Sequence, residues 1–547
     1  MGEVGVVLAM LLAVVASAYL VRVLPAVLPI PLPLPLVQIG LGAAIAGFGW
    51  HPVRLEPHIF FLLFLPPLLF LDGWRIPKVG LFRDKGVILE LALGLVLFTV
   101  VGAGFLIQWL VPALPLPVCF ALAAILAPTD PVAVSSIAAR VPIPPRLMHI
   151  LEGESLLNDA SGLVCFRFAV AAAMTGVFSL GSATLTFLWL AFAGVATGIL
   201  LTLGMASLQR LLGARFGDEP GASILLNLLL PFGAYLAAEH LGASGILAAV
   251  AAGITMSYVE LGGRALATTR VRRNVVWDTV QFALNGVMFV LLGEQLPDIV
   301  RAALQSPDLA VPRDPWWLIR TALAISAGLI LLRFAWVWVS LRLSNYAARR
   351  QGREGVRMDK RLLLAMSLAG VRGAITLAGI LTLPLALPGG APFPGRDLAI
   401  FLASAVIVVS LTVASIGLPR VLRGLELPPE TAIDAEEDRA RQAALLAALG
   451  AIDAAGRPAP VDEKDADLHA SAAEQVRGLY QHRLGGVMPG SDPARVRVAE
   501  QAERHYRLAA LAAERKVLLA MARRREISDE TARKLLREID LVEARYR

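Results

Sequence analysis

Charge is the scarcest ingredient of this chain. Asp, Glu, Lys and Arg make up 17% of its 547 residues, whereas soluble domains carry about 25%. Lysine supplies only six of the 50 basic residues, and arginine the rest. Cysteine is nearly absent: Cys119 and Cys165 stand alone inside apolar runs, with no metal-ligand spacing. That excludes a disulfide framework and a thiolate metal site, and both thiols read as small core residues. Hydrophobic residues fill the gap at 57% of the chain, and the mean hydropathy is +0.67. A single soluble core stops growing near about 250–300 residues, so this much apolar sequence needs lipid as its solvent. A disordered chain and an ordinary cytosolic enzyme are excluded on the same ground. The net charge of +7 does not call for nucleic acid, because membrane proteins gather basic residues in their cytoplasmic loops.

A helix of about 20 apolar residues crosses a bilayer. Thirteen stretches qualify, near residues 4–21, 32–50, 57–73, 87–111, 116–139, 150–176, 184–208, 221–240, 243–259, 275–296, 316–342, 361–387 and 397–420. Residues 24–36 are rich in proline, so the second stretch starts late or irregularly. Ala16-Ser17-Ala18 looks like a signal-peptidase site, but Glu3 precedes it and the first basic residue is Arg22, so the segment reads as a retained first span. With the N-terminus outside, alternate loops should be cytoplasmic and basic. Those loops hold 20 Lys and Arg residues, including Arg75, Arg210, Arg270 and the run from Arg342 to Arg361, against five in the opposite loops. The positive-inside rule therefore predicts an outer N-terminus and a cytoplasmic C-terminus in the cell (inner) membrane. The domains are expected as a transmembrane unit over 1–423 and a helical cytoplasmic unit over 424–547. In the latter, Gly485-Gly486 and Met488-Pro489-Gly490 read as breaks, Ser491-Asp492-Pro493 as a helix start, and Ser528 as a helix cap.

Ionisable residues inside apolar spans are costly and become functional candidates. They are Asp72, Asp130, Glu152, Glu154, Asp159, Arg167, Asp278, Glu294, Arg333 and Arg372. Asp278 and Glu294 lie toward span ends, where solvation accounts for them equally well. In Ala127-Pro128-Thr129-Asp130-Pro131, Pro128 and Pro131 remove the amides that would bond the carbonyls of Ala124 and Ala127. Freed carbonyls at membrane depth must face protein, water or an ion. Beside them stand a hydroxyl and a carboxylate, oxygen ligands suited to a hard monovalent cation; the competing reading is a proline kink with a solvated Asp. In Glu152-Gly153-Glu154-Ser155-Leu156-Leu157-Asn158-Asp159, Glu154 and Asn158 share one helix face and Ser155 and Asp159 the next. This predicts all four in one quadrant. A helix start decorated with acids explains Glu152 and Glu154, but not Asn158 and Asp159 further in. Gly370-Val371-Arg372-Gly373 sets a buried base between glycines, expected to pair with a buried carboxylate, structurally or functionally; Arg333 either pairs likewise or snorkels.

At these residues the sequence resembles the NhaP/NHE-type monovalent cation:proton antiporters, in their bacterial branch. The segments are LPPLLFLDGW at 65–74, APTDPVAV at 127–134, EGESLLNDASGLV at 152–164 and GVRGAITLA at 370–378, in matching order and spacing, so the likeness covers about residues 1–420. It implies an all-α, polytopic protein with about 13 transmembrane helices, inverted repeats and two broken crossing helices, here the fifth and twelfth stretches. It implies a homodimer that exchanges Na⁺, Li⁺ or K⁺ for protons and needs no cofactor. Asp159 would bind proton and cation alternately, with Asp130, Ser155 and the side chain or backbone of Thr129 completing the ion site. Glu154, Asn158 and Arg372 would form a supporting cluster. The pair Asn158-Asp159 resembles the branch associated with electroneutral exchange. Asp72, the further acid of this site, stands five residues after Pro67 where many relatives place it after four, a turn of about 100° on a helix. A cation channel or sensor without obligatory exchange is the alternative. An intramembrane aspartyl protease fits poorly, because neither aspartate sits in a GxGD pattern. Transport of an organic substrate would need a larger pocket.

Overall fold

Backbone at membrane depth must bond to itself, which leaves helices or closed barrels. The computed structural model takes the first course: among the described residues the β structure is one isolated bridge, between Ala386 and Pro392. The structure describes residues 3–27, 32–47, 57–76, 85–130, 134, 145–176, 180–217, 219–261, 267–305, 314–350, 360–423, 431–454, 466–485, 493–544 and 546. The chain divides into two compact units, Met1–Leu425 and Glu426–Arg547.

The first unit opens with α1 (Glu3–Val27), α2 (Leu34–Gly47) and α3 (Pro57–Arg75). Next come α4 (Lys85–Leu89), a π-helical turn (Glu90–Leu95) and α5 (Val96–Leu110), which run on without a break. Then follow α6 (Leu116–Leu126), α7 (Pro145–Thr175), α8 (Leu180–Phe216), α9 (Pro220–His240), α10 (Gly245–Leu261), α11 (Ala267–Gln305) and α12 (Pro315–Arg350). The unit closes with α13 (Lys360–Leu368), α14 (Ala374–Leu381) and α15 (Arg396–Leu422). Eight helices among the described residues are long and apolar enough to cross a membrane, and α2, α6 and α10 are shorter apolar ones. Their outward faces carry large exposed hydrophobics such as Trp189, Phe192 and Leu200 of α8, the pattern of a protein whose surroundings are apolar.

Two expected spans are interrupted. The twelfth stretch, 361–387, is not one helix: it stops at Leu368 and restarts at Ala374. In the fifth, α6 ends at Leu126 and residues 127–130 are non-helical; Pro131 lies outside the described residues. Small residues let other helices approach closely and fix where side chains point. A Cβ on Gly73 of α3 would meet the Val250 carbonyl of α10 at 2.6 Å, and one on Gly253 of α10 would collide with the Phe70 carbonyl of α3. This contact seats the stretch of α3 that carries Asp72 against α10.

The second unit holds α16 (Thr431–Ala454), α17 (Ala466–Gly485), α18 (Pro493–Arg523) and α19 (Asp529–Glu543). The expected start at Pro493 is the start of α18, while the breaks over 486–490 and residues Ser491 and Asp492 lie outside the described residues. Ser528 caps α19 by accepting from the Thr531 amide at 3.2 Å. Arg515 of α18 bonds Asp540 (2.6 Å) and Glu543 of α19.

Candidate functional site

Glu154 and Asp159 of α7 are both buried but serve different neighbours. Glu154 and Asn158 are each 1% exposed, and Ser155 and Asp159 each 4%. The quadrant expected to hold all four is split by one helical step. Glu154 and Asn158 turn into a hydrogen-bonded network, whereas Ser155 and Asp159 line a cavity.

The network is built around Arg333 of α12. Its two terminal nitrogens donate to the two Glu154 oxygens at 2.5 and 2.7 Å, and its Nε donates to the Met366 carbonyl at 2.9 Å. Thr129 donates to Glu154 at 3.3 Å and accepts from Asn158 at 3.0 Å. Arg333 is thus a buried ion-pair partner and does not snorkel. Arg372 corrects the expectation made for it. Its Nε donates to the Leu126 carbonyl at 2.8 Å, another guanidinium nitrogen to the Gly370 carbonyl, and its own amide to Ser410 Oγ at 3.1 Å. The reason is local. Arg372 lies in the interruption between α13 and α14, beside carbonyls that no helical amide reaches, and those acceptors capture it before a carboxylate can. The carbonyl it serves is that of Leu126, where α6 ends, and not that of Ala124. Both arginines therefore place positive charge at the carbonyl ends of helices, α6 and α13, where the dipole favours it.

The two interruptions meet directly. The Asp130 amide donates to the Val371 carbonyl at 2.7 Å, across the point where both helices stop. A Cβ on Gly373, which caps α14, would collide with the Asp130 carboxylate; only glycine lets that carboxylate lie against the start of the helix.

Beside this junction lies the cavity. Asp72, Thr129, Asp130, Ser155 and Asp159 line it together with apolar Leu68, Met288 and Ile375. Asp72 reaches it despite its displaced position in the motif. Gln281 and Asn285 of α11 and Thr376 of α14 complete the polar lining, and sequence reasoning missed all three because the search followed charge. The available signal was a pair of neutral amides at i,i+4 in an apolar helix. Arg75, one turn beyond Asp72, donates to Gln281 Oε1 at 2.9 Å and pairs with Asp278, both partners of that pair being exposed. Arg167 lies 3.5 Å from Glu239, away from the cavity lining, and Glu152 is half-buried outside it.

The polar side chains of the lining all offer oxygen: three carboxylates, three hydroxyls and two amides, with no basic side chain among them. The cavity is narrow, about 30 Å³, room for one or a few waters or a cation. Among the described residues no group of three His, Cys, Asp or Glu could hold a resident metal. Hard oxygen donors in that setting suit a hard ion that comes and goes.

Comparison with known proteins gives the same direction. The model of the transmembrane sodium/hydrogen exchanger family matches residues 10–424. An Escherichia coli K12 protein described as an uncharacterized Na⁺/H⁺ exchanger, YjcE, is 42% identical over 544 residues, 98% of either chain. A Bacillus subtilis 168 protein named a sodium, potassium, lithium and rubidium/H⁺ antiporter is 36% identical, over 100% of this chain and 78% of its own. The solved structure of the sodium proton antiporter MjNhaP1 from Methanocaldococcus jannaschii at pH 8 has the same fold, with a TM-score of 0.55 at 18% identity over 78% of this chain and 99% of that one. With its oxygen-lined cavity, its interrupted apolar helices and a family match over most of its length, the chain belongs to the sodium/hydrogen exchanger family of multi-pass membrane proteins.

Proposed function

We propose that this chain exchanges one Na⁺, Li⁺ or K⁺ for one proton across the membrane, with Asp159 as the group that holds either. One observation carries the reading: the buried arginines Arg333 and Arg372 are engaged by Glu154 and by backbone carbonyls, so the polar lining of the cavity is carboxylates and neutral groups with no basic side chain. A buried carboxylate without a fixed cation must take up a mobile one, and a proton and a metal cation then compete for it. Asp130 and Asp72 add negative charge, Ser155 a hydroxyl. Thr129, whose hydroxyl serves Glu154 and Asn158, contributes its carbonyl. Glu154, Asn158 and Arg333 hold the frame, and Arg372 fastens the helix end behind it.

Coupling follows from burial. Carrying an empty, charged Asp159 through the barrier costs several kcal/mol, so the site moves only when loaded, and with a single charge in each direction. The cycle is then electroneutral. No resident cofactor is required, and membership of an exchanger family makes the protein a secondary transporter, not an enzyme, and weighs against the channel or sensor. Loop charge supports an outer N-terminus, thirteen crossings and a cytoplasmic C-terminus in the cell (inner) membrane. The motif resemblance supports a homodimer, inverted repeats and a crossing of the two interrupted helices.

The test uses purified protein in liposomes with an internal pH dye, an imposed pH gradient and a clamped membrane potential. Adding Na⁺, Li⁺ or K⁺ should collapse the gradient in wild type, and Asp159→Asn should abolish the response while the protein stays folded. Cation flux without proton movement would return the channel reading.

A further inference from the structure

Hydroxyls in apolar helices satisfy themselves by folding back on the helix that carries them. Thr202, Thr255, Ser326, Ser367 and Ser415 all do so, donating at 2.5–2.9 Å to the carbonyl four residues earlier. Two buried hydroxyls depart from this: Ser404 of α15, which does not line the cavity, and Thr376, which does. Thr376 is 3% exposed, lines the ion cavity and makes no side-chain hydrogen bond among the described residues. Its position explains why: it lies in the first turn of α14, and the residue four back, Arg372, belongs to the interruption, so no helical carbonyl stands behind it. Asn285 of α11 presents a second unengaged group. Asn227, by contrast, accepts from Trp277 at 2.7 Å, and Gln281, one turn from Asn285, accepts from Arg75 at 2.9 Å. The Asn285 amide has no such partner among the described residues and borders the same cavity. Polar groups at membrane depth are expensive unless something meets them, and here the fold leaves the cavity's occupant to do so.

We propose that Thr376 and Asn285 are specificity-determining residues of the ion site, each offering a neutral oxygen to the transported cation, from α14 and α11 respectively. This rests on the exchange reading above and extends it. The carboxylates supply attraction for any monovalent cation, whereas neutral oxygens replace the hydration shell and so distinguish ions by how much water each must shed. Li⁺ and Na⁺ hold water more tightly than K⁺, so the loss of one such oxygen weakens their binding more than that of K⁺.

The experiment measures apparent KM for Li⁺, Na⁺ and K⁺ in liposomes for wild type, T376V, T376S and N285L. Valine keeps the shape of threonine and removes only its oxygen, and leucine does nearly the same for asparagine. T376V and N285L should raise the Li⁺ and Na⁺ values several-fold more than the K⁺ value, and T376S should stay near wild type. Unchanged ratios among the three ions in T376V and N285L overturn the proposal, whatever happens to the overall rate. So does a T376S protein that behaves as T376V does. Absence of exchange in wild type, or full exchange in Asp159→Asn, defeats the underlying transport reading instead.

Discussion

A carboxylate inside an apolar helix is conspicuous, and for that reason the acids of α7 and Asp130 were legible from the chain alone. Their partners were not. Glu154 and Arg333 are 179 positions apart, and nothing in the local pattern says that Arg333 and not Arg372 closes that pair. The consequence is measurable. Removing one member of a buried pair leaves a naked charge and costs about 3–5 kcal/mol, so Glu154→Met and Arg333→Met should each lower the unfolding midpoint in detergent sharply. The double variant should recover most of the loss but not all, because the Met366 carbonyl still lacks its donor. Arg372→Met paired with Glu154→Met should show no such recovery. Asp159 yields a prediction of a different kind. If proton and cation share it, each unit fall in pH on the acid side demands about tenfold more cation for the same rate. Initial rates measured over a grid of pH and Na⁺ concentration should therefore collapse onto one curve, and an acid-side rate indifferent to Na⁺ contradicts the shared site.

At the level of helices, proline and glycine announced the interruptions. Pro128 and the glycines around Arg372 mark the places where α6 ends and where α13 gives way to α14, although the twelfth stretch reads as continuous by hydropathy alone. The π-helical turn over Glu90–Leu95 holds a single glycine, Gly94, and no proline, and one glycine in an apolar helix does not announce a change of winding. The turn is met from outside, where Ser161 of α7 donates to the Ala92 carbonyl at 2.7 Å, and a contact between helices leaves no trace in either one's sequence. Arg372 ties the two interruptions together because one planar guanidinium reaches two carbonyls at once. A lysine keeps the charge and loses that fork. Arg372→Lys should accordingly destabilise the protein by about 1–3 kcal/mol, read as a fall in the unfolding midpoint, with exchange impaired in proportion. A midpoint equal to that of wild type would reduce the guanidinium's role to its charge.

Composition divides the whole molecule into an apolar stretch and a polar tail. It could not assemble the cavity, whose wall draws on α3, α7, α11, α14 and the residues after α6. Neutral Gln281, Asn285 and Thr376 acquire meaning only once the fold sets them beside three aspartates. The compactness of Glu426–Arg547 as a separate unit leads to a further expectation. A chain ending at Leu425 should insert and still show cation-triggered proton flux in liposomes, whereas complete loss would make the tail part of the transport machinery. The narrowness of the cavity, about 30 Å³, has an osmotic consequence. An ion that enters such a space leaves nearly all its solvent at the threshold, so a turnover hauls at most about two water molecules as baggage. Compartment volume would then follow the salt that is moved, through whatever other paths water takes, and the exchanger itself would generate almost no hydraulic flow.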